Sequence, residues 1–285
     1  PQTHKAQARL RPGCWTDETQ LSLAIARAIA TDEGISYPGI ALAIRTAFET
    51  LEHRAWDVDT KQACRRLAQG TPPEKAGVRG VSSNAPAGRI APVAAWSAAR
   101  GESREKLLGH CYHVATLTHH ELRSTVGTYV IALLVRDGFV SPRKWEPAAE
   151  RYESLIVEAR WAEQRLEPLL GKVEDPLSQH LLELADAVGS EPGEIAELSG
   201  GASPDARSSI PFIAALLCGH AYDIEDGVMA AVQGGGDTDT NASIVGQVLG
   251  AAYGARKIPR RWVDKLEEVE TIREVSAQFA ALLGR

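Results

Sequence analysis

Apolar residues along this chain recur at three- and four-residue intervals, the period of helices with one buried face. Leu21, Ala24, Ile25, Ala28 and Ile29 form one such stripe and predict a helix over 16–31. After a break from Gly34 to Pro38, Ile40, Ala43, Ile44, Ala47 and Leu51 form the next, over 40–52. Further helices are predicted over 57–69, 90–99, 103–118, 124–135, 145–170, 176–188, 191–199, 210–220, 222–232, 240–253 and 259–283. Residues 1–15 are polar and basic and read as an irregular lead-in. The nineteen residues from Gly70 to Gly88 are rich in Gly, Pro and Ser and show no regular pattern. Ordered loops of that length are often functional. Few segments alternate with period two, and β-branched clusters are scarce. The expectation is an all-α fold in one domain spanning 1–285, with no internal repeat and no low-complexity tract.

Two helix starts break the apolar pattern with chemistry. The later one is Gln233-Gly-Gly-Gly-Asp-Thr-Asp-Thr-Asn241, running into an apolar stripe of Ile244, Val245, Val248, Leu249 and Ala252. Three glycines let a backbone pass through positive φ and come close to a ligand. Asp237 and Asp239 are two apart, and residues so spaced point about 200° apart on a regular helix. They share a ligand only from a loop or an irregular first turn. The earlier start is Trp15-Thr-Asp-Glu-Thr-Gln20, again acidic, again flanked by threonine, about 220 positions upstream. Helix capping explains each stretch separately. It predicts no relation between them. Brought together, Asp17, Glu18, Asp237 and Asp239 supply four carboxylates, a charge that calls for cations. Thr16 and Thr240 add hydroxyl ligands. Hard oxygens suit Mg²⁺, Mn²⁺ or Ca²⁺, and the set suits a pair of divalent ions.

Composition narrows the surroundings. Apolar residues are 44 % of 285, enough for a sizeable core, and net charge is −6. No basic stripe is present, so the footprint of a nucleic-acid binder is missing. Cys14, Cys64, Cys111 and Cys218 lie far apart with no CxxC. That fits a reduced, cytoplasmic protein. No apolar run reaches the length of a membrane span, and no signal peptide is visible.

Thr16-Asp17-Glu18-Thr19, followed by a small-residue helix, and Gly235-Gly236-Asp237-Thr238-Asp239-Thr240-Asn241-Ala242 together resemble the ADP-ribosylglycohydrolase family. The resemblance covers nearly the whole chain, and its late motif is the more specific. In the early motif Glu18 stands where the family usually has a second aspartate. The resemblance implies a single compact domain of orthogonally packed helices. It also implies a centre of two Mg²⁺ ions, with Mn²⁺ as a substitute, that grips the ribose of ADP-ribose. The ligands it implies are Thr16, Asp17, Glu18, Asp237, Asp239 and Thr240. Family chains usually carry an upstream helix and a metal-binding glutamate, yet the fifteen residues before Thr16 contain no Asp or Glu. The expectation is either that this first helix is missing by truncation or that Glu18 replaces the lost ligand.

Three further stretches carry a local reading and an implied one. Asp57, in Trp56-Asp57-Val58-Asp59-Thr60, reads locally as an N-cap. The resemblance implies that it, rather than Asp59, holds a guanidinium leaving group or activates water. A carboxylate matches the guanidinium fork. Ser82-Ser83-Asn84-Ala85-Pro86-Ala87-Gly88-Arg89 is a turn or a phosphate cradle; the resemblance favours Ser83 and Asn84 as substrate contacts, with Gly235 and Gly236 opposite. His119 satisfies a helix end or, by the resemblance, lies near the ribose–diphosphate. His110 and His113 beside Cys111 read as a helix face rather than a zinc site. The resemblance implies Mg²⁺-dependent hydrolysis of the N-glycosidic bond between ADP-ribose and a protein side chain, arginine foremost, by a monomer. Asp57 or Glu18 serves as base. Two alternatives stand beside it: a non-catalytic ADP-ribose-binding relative, and a hydrolase of another linkage (serine, O-acetyl-ADP-ribose or a nucleobase).

Overall fold

A computed structural model describes residues 10–140 and 145–284. Residues 10–16 are turn and irregular backbone, while residues 1–9 of the expected lead-in lie outside the described residues. The helices follow as α1 Asp17–Thr31, α2 Tyr37–Thr50, α3 Val58–Ala68, α4 Pro73–Ala76, α5 Ala91–Ala99 and α6 Arg104–Thr116. Then come α7 Leu122–Val140, α8 Ala149–Leu170, α9 Leu177–Glu183, α10 Pro192–Leu198 and α11 Ala206–Gly219. The chain closes with α12 Ile224–Gln233, α13 Thr238–Tyr253, α14 Arg260–Val263 and α15 Val269–Leu283. Two-residue strands β1 Val78–Arg79 and β2 His119–His120 pair in parallel, Val78 opposite His119. The all-α expectation holds, since this is the only sheet among the described residues.

Helix α7 is the axis. It packs against α5, α6, α8, α11 and α13, and most of its side chains are buried all round. Up to Val135 the helix is buried on nearly every side; Arg136, the exposed Asp137 and Gly138 then interrupt the apolar run, so the sequence pattern stops there although the helix continues to Val140. On α1, by contrast, Leu21, Ile25 and Ile29 are fully buried on one face. Each such side chain contributes about 1.5–3 kcal/mol by leaving water, and Ile25→Ala would cost about 2–5 kcal/mol.

The departures from the predicted pattern have local causes. The 70–88 stretch is not structureless: it holds α4, β1 and a 3₁₀ turn at Ala87–Arg89. Helix α11 starts four residues before Ile210, because Asp205 caps it by accepting from Arg207 N at 2.9 Å. Pro211 therefore lies inside the helix rather than at its first turn. The last predicted helix is split, with Glu268 in the left-handed region at φ 46°. There Glu267 N donates to Gly13 O at 3.0 Å, and Glu267 Oε1 accepts from Trp15 N at 2.9 Å. The C-terminal segment thus holds the backbone that leads into α1.

The 3₁₀ turn is the wedge that positions the site. It packs against α1, α7 and α13 at once. The Gly88 carbonyl accepts from Gln247 Nε2 on α13 at 2.6 Å, and the Ala91 N–H donates to the same side chain at 3.2 Å. The starts of α1 and α13 are thereby brought to one place.

Candidate metal and substrate cleft

One cleft is lined by Asp17, Glu18, Asp57, Asp237, Asp239 and Thr240, with Ala55, Ser83, Asn84, Ala85 and Pro204 around them. Thr16 and Asp17 stand at the N-cap and first position of α1, and Asp237 at the N-cap of α13. Neither Thr16 nor Asp237 makes a side-chain cap. The capping account therefore fails at both helix starts. Glu18 joins them instead. Its Oε2 accepts from Thr16 Oγ1 at 2.6 Å, and its Oε1 accepts from Thr240 Oγ1 at 2.7 Å, across 222 positions of sequence.

Asp57 does cap: Oδ1 accepts from Thr60 N at 2.7 Å. Its Oδ2 is buried without a hydrogen-bond partner. Asn84 serves the cleft through Asp237, donating from Nδ2 to Asp237 Oδ2 at 2.8 Å and to Ser209 Oγ at 3.0 Å. Ser209 Oγ donates in turn to Asn241 Oδ1 at 2.5 Å, and Asn241 Nδ2 donates to Ala202 O at 2.8 Å. The Ser83 N–H donates to Ser124 Oγ at 2.8 Å. Gly235 and Gly236 have φ of 75° and 67°. A Cβ at Gly236 would sit 2.2 Å from Gly201 O, so here the close approach that needs glycine is to the protein's own 201–202 loop. Gly235, Gly236 and His119 do not line the cleft; His119 lies behind Asp57, with Nε2 3.7 Å from Asp57 Oδ1.

Among the described residues no Lys or Arg lines this cleft. Its acids respond accordingly. Burial raises Asp17 well above the ordinary carboxylate range, and Glu18 and Asp57 push it further. Burial and then Asp239 raise Glu18. Burial, opposed by Asn84 and helped by Asp239, pushes Asp237 up to about 7. Burial also works against ionised Asp57, but His119, Thr60 and Arg89 outweigh it and hold that carboxyl low. Burial takes His119 down to about 4, so its ring is neutral near pH 7. Arg89 is 1 % exposed, donates from Nη2 to Thr118 Oγ1 and has no partner for Nε or Nη1. It is the buried cation whose field reaches Asp57, Asp17 and Glu18.

Oxygen donors alone, excess negative charge and raised carboxylates are what a hard divalent cation corrects. Two other grooves, between α1 and α2 and between α1, α5, α13 and α15, hold no such acid cluster. The sequence had no signal for Ser209, nor for Ala55 and Pro204 in the lining. Asn241 stood in the late motif without a role. Gln20 was equally silent; it accepts from Trp56 Nε1 at 2.6 Å and donates to Glu52 O at 3.0 Å, fixing the approach to Asp57 from α1.

Fold and cleft together define an all-helical protein with a candidate oxygen-ligand metal centre between two distant helix starts. The profile of the ADP-ribosylglycohydrolase family matches residues 2–285, and the chain belongs to that family. It is 37 % identical over 57 residues to the ADP-ribosylarginine hydrolase Tri1 of Serratia proteamaculans (strain 568), covering 20 % of this chain and 16 % of that one. It is 36 % identical over 69 residues to the ADP-ribosyl-[dinitrogen reductase] glycohydrolase of Rhodospirillum rubrum, 23 % of each chain. The matches thus span less than a quarter of either relative's length. A solved structure described as an ADP-ribosylglycohydrolase-related protein complex superposes with a TM-score of 0.68 at 24 % identity, over 97 % of this chain and 83 % of the other. That likeness shows the fold.

Proposed function

We propose that this protein is a cytoplasmic, monomeric hydrolase that removes ADP-ribose from protein side chains, arginine foremost, with two Mg²⁺ ions, Mn²⁺ serving as substitute. The observation that carries the reading is the meeting of Asp17, Glu18, Asp57, Asp237, Asp239 and Thr240 in one cleft, with Thr240 donating to Glu18 there and Thr16 donating to Glu18 from outside its lining. Family membership and the arginine-directed relative support the substrate class. The four cysteines are unpaired, and among the described residues no helix is long and apolar enough to cross a membrane.

Asp17, Glu18, Asp237, Asp239 and Thr240 would hold the ions, with Thr16 acting through Glu18. When bound, they supply positive charge that orients the ribose hydroxyls and acidifies water. Asn84 orients Asp237. The C1–N bond breaks with oxocarbenium-like character, the hydroxyl of water joins C1, and its proton goes to the departing nitrogen. Of the two candidate bases, both Glu18 oxygens accept threonine hydroxyls, whereas Asp57 Oδ2 has no partner. That favours Asp57 for taking the water proton and for facing a guanidinium. The test is metal-dependent release of ADP-ribose from ADP-ribosylarginine and ADP-ribosylserine peptides. Faster release from arginine in Mg²⁺ upholds the reading. Tight ADP-ribose binding with no release from either peptide replaces it with a binding protein.

A further inference from the structure

We propose a separate cation site at Asp57, Asp59 and His119 that prefers an ion accepting a nitrogen ligand, Zn²⁺ above Mg²⁺. One ligand atom from each residue falls in a group no more than 4.8 Å across. Metal–ligand bonds of about 2.0–2.2 Å set ligand atoms roughly 3–4 Å apart. Rotation of the Asp59 side chain, half-buried in the first turn of α3, closes the difference.

His119 is what makes this more than two neighbouring acids. Its side chain is 0 % exposed, yet Nε2 has no hydrogen-bond partner and points toward Asp57. Buried imidazole nitrogens are normally satisfied. The other ring nitrogen, Nδ1, lies 3.0 Å from Thr118 Oγ1. That oxygen already accepts from Arg89 and has a second lone pair for Nδ1–H. In the metal-bound tautomer Nδ1–H donates to that oxygen and the Nε2 lone pair is left for the ion, which is how a metal-bound histidine is held. The second orphan, Asp57 Oδ2, is buried beside it, while Oδ1 stays on Thr60 N. One imidazole with two carboxylates suits Zn²⁺; Mg²⁺ prefers oxygen and holds its waters. The oxygen-only set of the cleft has the opposite preference, and the two sites share no residue beyond the contact of Asp57 with both.

The inhibitory consequence rests on the reading of Asp57 as the leaving-group carboxylate; the binding itself does not. A bound Zn²⁺ occupies the place of the cationic guanidinium and competes with ADP-ribosylarginine. The test titrates Zn²⁺ into the full chain in excess Mg²⁺, counts retained zinc, and reads its ligands by X-ray absorption. The expected result is one Zn²⁺ per chain with an imidazole ligand, held about 10-fold or more weakly by Asp59→Asn and lost in His119→Gln. Asp59→Asn should keep its Mg²⁺-dependent rate and need about 10-fold more Zn²⁺ for half-inhibition. Should His119→Gln not fold, Asp59→Asn alone decides. Equal Zn²⁺ affinity in the parent and Asp59→Asn, or an all-oxygen shell, overturns the site. Zinc bound as expected by a chain that releases no ADP-ribose in Mg²⁺ upholds the site and removes the function reading instead.

Discussion

On one side of residues 82–84, Glu121, Asp175 and Asp205 are laced to two arginines. Arg123 reaches Glu121 at 2.7 Å and Asp175 at 2.6 Å; Arg207 reaches Asp175 at 2.5 Å and Asp205 at 2.6 Å. Ser82 Oγ donates to Asp205 Oδ1 at 2.7 Å, and the Ser124 that accepts from Ser83 N is itself held by Glu121. On the other side, Asn84 faces five carboxylates with no Lys or Arg among the lining residues described. The two regions, three acids against five, differ in who neutralises them. Burial opposes ionised Asp175 and Asp205, but Arg207 outweighs it and both are held low. In the cleft burial wins at Asp17, Glu18 and Asp237, which are raised, and loses at Asp57, which His119, Thr60 and Arg89 hold low. One cluster has guanidinium groups bonded directly to its acids, whereas the other has only the field of buried Arg89 behind it and no Lys or Arg among its described lining residues, which leaves it to a cation from solution.

The sharpest way to break that comparison is Asp239→Asn. Removing one ligand of a divalent pair is expected to weaken Mg²⁺ binding and cut turnover by about 100-fold or more, since such ions supply several kcal/mol at the transition state. Mg²⁺ stabilises the fold in proportion to its affinity, so the Mg²⁺-induced rise in melting temperature should shrink too. An unchanged rise would put the metal elsewhere. Glu18→Gln separates charge from shape at the same place. The metal-free variant should melt higher than the parent near pH 7.5, because a buried carboxylate with little compensation is gone. Its Mg²⁺ affinity should fall, in one ion more than the other. A metal-free melting temperature below the parent's would mean that the bonds from Thr16 and Thr240 outweigh the charge.

How far this contrast was legible differs between its two halves. Acidic, threonine-flanked helix starts at Thr16–Glu18 and Asp237–Thr240 stand out because local rules assign them only to caps, and two such starts need a common cause. Their meeting in space was carried by that likeness and by the family resemblance, since periodicity says nothing about which helix ends adjoin. The arginine-laced side was silent. Arg123, Asp175 and Arg207 are 52 and 32 positions apart in pairs, with no spacing rule to join them. Arg89 was visible as a residue, but its complete burial follows from the 3₁₀ wedge, which the loop composition hid. The C-terminal turn of α7 was hidden because Arg136, Asp137 and Gly138 break the apolar run after Val135, while the packed helix carries on through them.

Asp57 sits between the two regimes, with one oxygen on a backbone N–H and the other without a partner. Asp57→Ser keeps a good N-cap and deletes the carboxylate. Hydrolysis of ADP-ribosylarginine should fall by roughly 10- to 100-fold, the loss of a charge-assisted pair of about 1.5–3 kcal/mol, with the melting temperature nearly parental. Asp57→Ala should lose the same rate and also about 1 kcal/mol of stability from the cap. Free ADP-ribose should bind both variants like the parent. An Asp57→Ser protein that cleaves arginine linkages at the parental rate would take Asp57 out of the site.

The smallest effect belongs to the neutralised side. Arg207 and Asp175 are 38 % and 42 % exposed, so Arg207→Ala should cost less than about 1 kcal/mol and leave turnover alone. The loss should shrink in high salt. Its pH dependence has a definite sign. Asp175 and Asp205 titrate below their unfolded value of 3.8 when folded. Their contribution is therefore complete above that value and disappears as pH falls through the folded ones. The gap in melting temperature between parent and Arg207→Ala should be full at pH 6 and close in stronger acid. The cleft runs the other way. Asp17, Glu18 and Asp237 bind protons more readily folded than unfolded, so the metal-free chain loses stability as pH rises from the unfolded carboxylate range toward the Asp237 value of about 7. Mg²⁺ should flatten that slope in the parent and in Arg207→Ala alike, because the ion serves only the cleft. If metal-free stability instead climbs between pH 5 and 7.5, the cleft acids are already neutralised within the fold, and its contrast with the arginine-laced side disappears.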